Sequence, residues 1–406
     1  MSSFSLIIIA EHLSHSTIEI GDIVRRTRAA TLVLLASVLA FATNGTLAQT
    51  HVRFTSFLVR DSNTFKTRLA YNDWINSSNL RLGHAFGNEK YQIQGLYSGE
   101  FLLLSNRTEL NNHTHTFGVT GTQYGDVSAV NINASVRVLN YRESFSYYNA
   151  NQYSITGTYQ YTPSLQEFYS LGLVLSSDNY RTFDELDNST YRIYVRAQRF
   201  LQSQLSITGE LGLGVKDYTN QSVISYFGSG FGPMSFSRVN EAPVKAAIIS
   251  ASVNVGKSIT SHTGLSGAIG GQWFTGDPIV SYSNGIYYYT ENDLYDDPYA
   301  YQGPYGTLQL TEQIASDFQL KLGAKVQRKD YSGTPALNEI GDLTGVTRND
   351  TRREYSLMIS KSFVAEWPTL LGIDIFFSYM LRSNSSNDPH YNFKDHIGLI
   401  GFSVGI

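Results

Sequence analysis

Leu205-Ser206-Ile207-Thr208-Gly209-Glu210-Leu211-Gly212-Leu213-Gly214-Val215-Lys216 changes character at nearly every step. Leu205, Ile207, Leu211, Leu213 and Val215 hold one set of alternate positions, and Ser206, Thr208, Glu210 and Lys216 hold the other. Successive side chains of an extended backbone point to opposite sides, so this period of two predicts a strand with one face in oil and one in water. Working outward, the same period recurs in residues 129–138, 191–198 and 318–327. Runs of this length exceed the usual strand of about 5–6 residues. They match the roughly 9–11 residues that a tilted strand needs to cross hydrocarbon.

Composition agrees. The chain has 406 residues, of which 13% are aromatic and only 16% charged, with 28 Tyr and 9 Pro. Aromatic rings suit pleated surfaces and membrane–water interfaces. Cysteine is absent, which excludes a disulfide scaffold and thiolate metal sites. A net charge of −4 gives no argument for nucleic acid as a partner. Mean hydropathy is −0.19, the value of a soluble protein. A barrel wall has the same average, because lipid-facing and lumen-facing residues alternate.

At the N-terminus, Arg25-Arg26-Thr27-Arg28 precedes an apolar run from Ala29 to Ala42, and Thr46-Leu47-Ala48 stands before Gln49. Basic, apolar, then small-x-small is the order of a secretory signal peptide. Residues 1–48 are therefore assigned to an upstream extension and signal peptide, with translation expected to begin near Val24. Residues 49–63 are read as a periplasmic lead or a first strand, and 64–406 as the barrel.

Connections alternate in length. Short links are expected at Tyr124-Gly125-Asp126, Thr162-Pro163-Ser164, Leu201-Gln202-Ser203, 258–261 and Ala315-Ser316-Asp317, and long polar ones at 143–151, 218–243, 276–300, 332–349 and 383–393. Short turns on one side and long loops on the other are the pattern of an outer-membrane barrel. The fold class predicted is all-β, a transmembrane antiparallel β-barrel of about 16 strands, with 14–18 open. Closure follows from the solvent: hydrocarbon offers no partner to an unpaired backbone N–H or C=O, so a sheet edge cannot face lipid.

The closing segment includes Leu371-Gly372-Ile373-Asp374-Ile375-Phe376-Phe377-Ser378-Tyr379, then Arg382-Ser383-Asn384-Ser385-Ser386-Asn387, and ends Gly398-Leu399-Ile400-Gly401-Phe402-Ser403-Val404-Gly405-Ile406. It resembles the last hairpins of barrels in surface lipoprotein assembly modifiers, where the final strands bracket a Tyr/Asn/Ser loop. The tetratricopeptide repeats of that family have no counterpart in this sequence. The last strand is similar to the signal read by the barrel assembly machinery of the Gram-negative outer membrane, with Phe402, Val404 and Ile406 as its outward set.

Charge is costly on a lipid face, so the register predicts that Arg137, Arg192, Arg196, Glu210, Lys321, Lys325, Glu354, Asp374 and Arg382 line the lumen. Two readings stay open: a constriction that filters solutes by charge, or a self-neutralising network that stiffens the interior. His113 and His115 share a strand face, but a metal site needs more ligands. The tyrosines and acids of 276–300 fit a solvated external loop. No catalytic elbow, no His-Glu-x-x-His and no Ser–His cluster is expected. The functional expectation is a pore or an export/uptake channel for small solutes, with a filled structural or partner-binding barrel as the alternative and a barrel enzyme as a third reading. Expected partners are outer-membrane lipid, lipopolysaccharide and the barrel assembly machinery, with a homo-oligomer left open. No cofactor is implied.

Overall fold

The computed structural model describes residues 49–405, apart from 65, 67, 69, 183–185, 219–221, 227–235, 242–243, 276–296 and 364–371. The signal-peptide reading, Ile406 and most of the tyrosine-rich loop 276–300 lie outside the described residues. The strands are β1 (Gln49–Asp61), β2 (Asp73–Gly87), β3 (Tyr91–Leu104), β4 (Asn112–Tyr124), β5 (Ser128–Tyr141), β6 (Ala150–Ser164), β7 (Glu167–Tyr180), β8 (Asn188–Leu201) and β9 (Leu205–Tyr218). A two-stranded excursion, β10 (Ser222–Tyr226) and β11 (Phe236–Glu241), precedes β12 (Val244–Ser258) and β13 (Thr263–Phe274). The series ends with β14 (Gly303–Ala315), β15 (Phe318–Leu337), β16 (Leu343–Phe363), β17 (Gly372–Ser386) and β18 (Phe393–Gly405).

Sixteen of these strands, all but β10 and β11, form one closed antiparallel barrel in which each pairs with its sequence neighbour. Closure is made by β1 against β18, from Arg53 opposite Gly405 to Asp61 opposite Ile397. Residues 49–61 are thus the first barrel strand, not a periplasmic lead, and the barrel begins before residue 64. Two expected links move. The β6–β7 turn falls at Leu165-Gln166, with Pro163 inside the strand, and most of 332–349 is strand in β15 and β16. The short turns, together with Gln49 and Gly405, lie at one end, the periplasmic one by the length rule.

Outward positions carry the apolar series. Ile193, Val195, Leu211, Leu213, Val253, Ile269, Leu308, Ile375 and Ile400 are all exposed. A soluble protein does not expose a continuous apolar belt of this kind. In lipid that belt is the stabilising surface, and this chain is an outer-membrane barrel.

Candidate functional site

The lumen is the site, and cross-strand register fixes what faces it. All nine charged residues expected there share its face: Arg137 on β5, Arg192 and Arg196 on β8, Glu210 on β9, Lys321 and Lys325 on β15, Glu354 on β16, Asp374 and Arg382 on β17. Phe402 and Val404 face outward on β18 beside Ile375 and Ile373.

Three arrangements build the lumen wall. On β8 and β9, Glu210 accepts from Arg192 Nη2 at 2.7 Å and from Arg196 Nη2 and Nε at 2.6 and 2.9 Å. Both guanidiniums lie over Tyr194, at 5.4 and 5.8 Å from the ring centroid. That ring lies flat on the wall because Gly172 stands beneath it, where a Cβ would collide with the phenol. One carboxylate thus holds two cations, leaving a net positive band.

The upper lumen is packed. The segment before β14 dips inward, and Asp297 fastens it. Its Oδ2 accepts from Lys216 Nζ at 3.0 Å and from Tyr218 OH at 2.5 Å, and its Oδ1 caps the Tyr299 N–H. Gly214 leaves room for the Tyr299 ring. Beside it, on β16 and two strands along from β14, Arg348 Nη2 and Nε reach Asp350 at 2.5 and 3.0 Å, and Asn384 donates to the same carboxylate. Arg348 lies between Tyr331 and Tyr391, 4.1 and 3.2 Å from their centroids. Lys329, 0% exposed, stands 4.3 Å over Tyr301 and opposite Asp350 in register. Arg382 Nε donates to Glu354 at 2.9 Å. Buried charges survive only when paired and hydrogen-bonded, and Lys216, Arg348 and Arg382 each have a carboxylate within 3.0 Å.

A third sector is apolar. Phe145 joins Val59, Ile75, Leu104, Leu110 and Tyr141 in a buried cluster, with Tyr147 and Tyr148 packed on it. The β5–β6 connection, with a 3-10 turn at Glu143–Tyr148, therefore folds onto the luminal wall instead of standing away from it.

Lys321 and Lys325 belong to none of these. Both are half-exposed, and neither has an acidic partner among the described residues. Lys325 stands opposite Glu354, but that carboxylate is engaged by Arg382. At the periplasmic mouth, Arg53 and Arg81 are direct cross-strand neighbours, both exposed, with Asn79 accepting from Arg81 Nε at 3.1 Å. Asp374, near the same end, accepts from Ser362 Oγ at 2.7 Å.

Residues that the sequence reading passed over include Lys216, Asp297, Lys329, Arg348 and Asp350. Lys329 was within reach, because it continues the odd-numbered series of Lys321 and Lys325. The Asp297 latch had no sequence signal, since it depends on where a long connection returns. His113 and His115 face outward near the extracellular end of β4. They touch at 3.1 Å, and Tyr97 OH lies 3.0 Å from His115 Nδ1. No cluster of three metal-ligating side chains occurs among the described residues. Gly401-Phe402-Ser403-Val404-Gly405 spells the Gly-x-Ser-x-Gly motif, but it runs fully extended within β18, with Ser403 Oγ accepting from Thr55. The strand-to-helix elbow that exposes such a nucleophile is not formed. His262 and His390 lie at opposite ends, in the β12–β13 turn and the β17–β18 loop.

No known family profile and no curated protein matches the chain. Among solved structures, OccAB1 of Acinetobacter baumannii superposes with a TM-score of 0.51 at 9% identity, over 88% of this chain and 96% of that one. CdiB of the same organism reaches 0.49 at 11% identity, over 87% of this chain and 60% of that one. OccAB3 reaches 0.47 at 8%, over 89% and 99%. At these identities the likeness is one of fold, that of an outer-membrane barrel.

Proposed function

We propose that the chain is a pore for small solutes with a preference for anions. One observation carries this reading: Lys321 and Lys325 face the lumen without an acidic partner among the described residues. An unpaired ammonium is too costly in a dry interior, so the space before these two residues is hydrated. Arg53 and Arg81 extend the positive field to the periplasmic mouth, and the Arg192–Glu210–Arg196 group adds one net positive charge four strands along the wall from β15. Charged linings of one sign set the selectivity of aqueous pores. The inward-folded 297–301 segment and the Phe145 cluster narrow the extracellular half, and we assign the constriction to them.

A second reading, a structural or partner-binding barrel, draws on the packed upper lumen. Planar-bilayer recording separates the two. A pore gives reproducible current steps, with a reversal potential in a salt gradient displaced toward the anion. A filled barrel stays silent, and silence in correctly folded protein would overturn the channel reading.

A further inference from the structure

The register that sorts charge into the lumen leaves a group of cations on the outer wall toward its extracellular edge. Arg353 on β16, Ser383 on β17 and Lys394 on β18 form one outward row. Arg328 stands just above it on β15, and Arg60 opposite Gly398 on β1. All four basic residues are exposed. Arg328 is held by Asp330 at 3.2 Å. Arg353 and Lys394 have no acidic partner among the described residues, and the contact recorded for Arg60 is the Trp74 ring at 5.6 Å. Elsewhere on the outer wall, Lys245 is held by Asp217, Arg199 by Glu167 and Lys361 by Asp317.

Height matters as much as charge. From Arg353 down to Phe363 at the end of β16, about 3.4 Å per residue at a tilt of about 40° gives a rise of roughly 26 Å. That matches the apolar band of about 25 Å in such barrels, so Arg353 stands at the outer headgroup level. Below the row lie exposed Tyr355, Leu381 and Ile400. Cations at this level are attracted to anionic headgroups by about 1 kcal/mol each, and a group of them favours a headgroup that carries more than one phosphate.

We propose that this face, from β16 across β18 to β1, binds a phosphate-bearing glycolipid of the outer leaflet. Its phosphates lie on Arg353, Lys394 and Arg60, and its acyl chains run down over Tyr355, Leu381 and Ile400. The inference is independent of whether the lumen conducts.

The test is native mass spectrometry of the full-length protein in detergent micelles, titrated with bis-phosphorylated lipid A. The wild type is expected to retain lipid A. The R60Q/R353Q/K394Q variant is expected to bind roughly a hundredfold more weakly, from about a kcal/mol for each interfacial cation. K245Q and the charge-conserving R353K should bind as the wild type does. Phosphatase-treated lipid A should fail to bind, and millimolar inorganic phosphate should not displace the lipid. Undiminished binding by the triple variant, equal binding of the dephosphorylated lipid, or complete displacement by inorganic phosphate would each overturn the proposal.

Discussion

Lys325 and Lys329 stand two luminal positions apart on the same face of β15, and they live in different media. Lys329 is fully buried, lies over the Tyr301 ring and has Asp350 opposite it, while Lys325 is half-exposed and its cross-strand acid is already engaged by Arg382. The strand places both alike. What separates them is the returning segment at 297–301 and the Arg348–Asp350 pair, which roof one lysine and leave the other half-exposed. In a barrel, alternation therefore sets the face, and the connections set the dielectric.

The largest way to break this contrast is to remove the acid of the upper group. Asp350→Ala leaves Arg348 and Lys329 buried without their carboxylate, and breaking a buried pair in this way costs about 3–5 kcal/mol. Urea unfolding in detergent should show it, while Lys325→Gln stays within about 0.5 kcal/mol of wild type. Equal effects would mean that the two lysines share one environment.

Next comes the latch. Asp297→Asn leaves Lys216 buried beside a neutral group, a loss of about 1–3 kcal/mol. The freed strap should also give larger and noisier current steps. A variant that loses stability with unchanged current would remove the strap from the conduction path. Smaller in energy is Lys321→Gln with Lys325→Gln. Stability should hold, and the reversal potential should move toward that of an unselective pore.

Spread over a range of pH and not switched by a mutation, the last effect is a pH dependence at Lys66, in the β1–β2 loop. Burial, followed by the nearby Arg382 and Arg352, lowers its pKa to about 8, against the opposing pull of Asp61 and Asp395. The unfolded chain holds this proton up to the ordinary lysine range, so between about pH 8 and 10 it binds more protons than the folded protein. Stability from this group should therefore rise with pH across that window, by at most about 1.4 kcal/mol per unit. Below pH 8 the charged form is carried at a constant cost. Lys66→Met should flatten the slope, and an unaltered slope would assign it elsewhere.

Faces were legible in the sequence wherever one side meets lipid and the other water, which is why the nine charged residues fall on the luminal face. Where that contrast fails, so did the reading. In β1 the luminal side carries Phe57 and Val59, which pack against the inward-folded apolar cluster, so its two faces differ too little to announce a strand. Above the membrane the outer face of β15 and β16 meets water instead of lipid, so the apolar alternation is lost there, and Ser332 to Asn349 resembles a loop although most of it is strand. The Asp297 latch joins residues far apart in sequence, and no local pattern encodes such a contact.

The absence of cysteine makes the contrast on β15 directly measurable. Single cysteines at Lys321, Lys325 and Lys329 can be treated with a charged, membrane-impermeant thiol reagent in the folded, reconstituted protein. The account predicts rapid reaction of Lys321→Cys and Lys325→Cys, and protection of Lys329→Cys until the protein is unfolded. Protection at all three positions would show a filled barrel and contradict the hydrated lumen on which the functional reading stands.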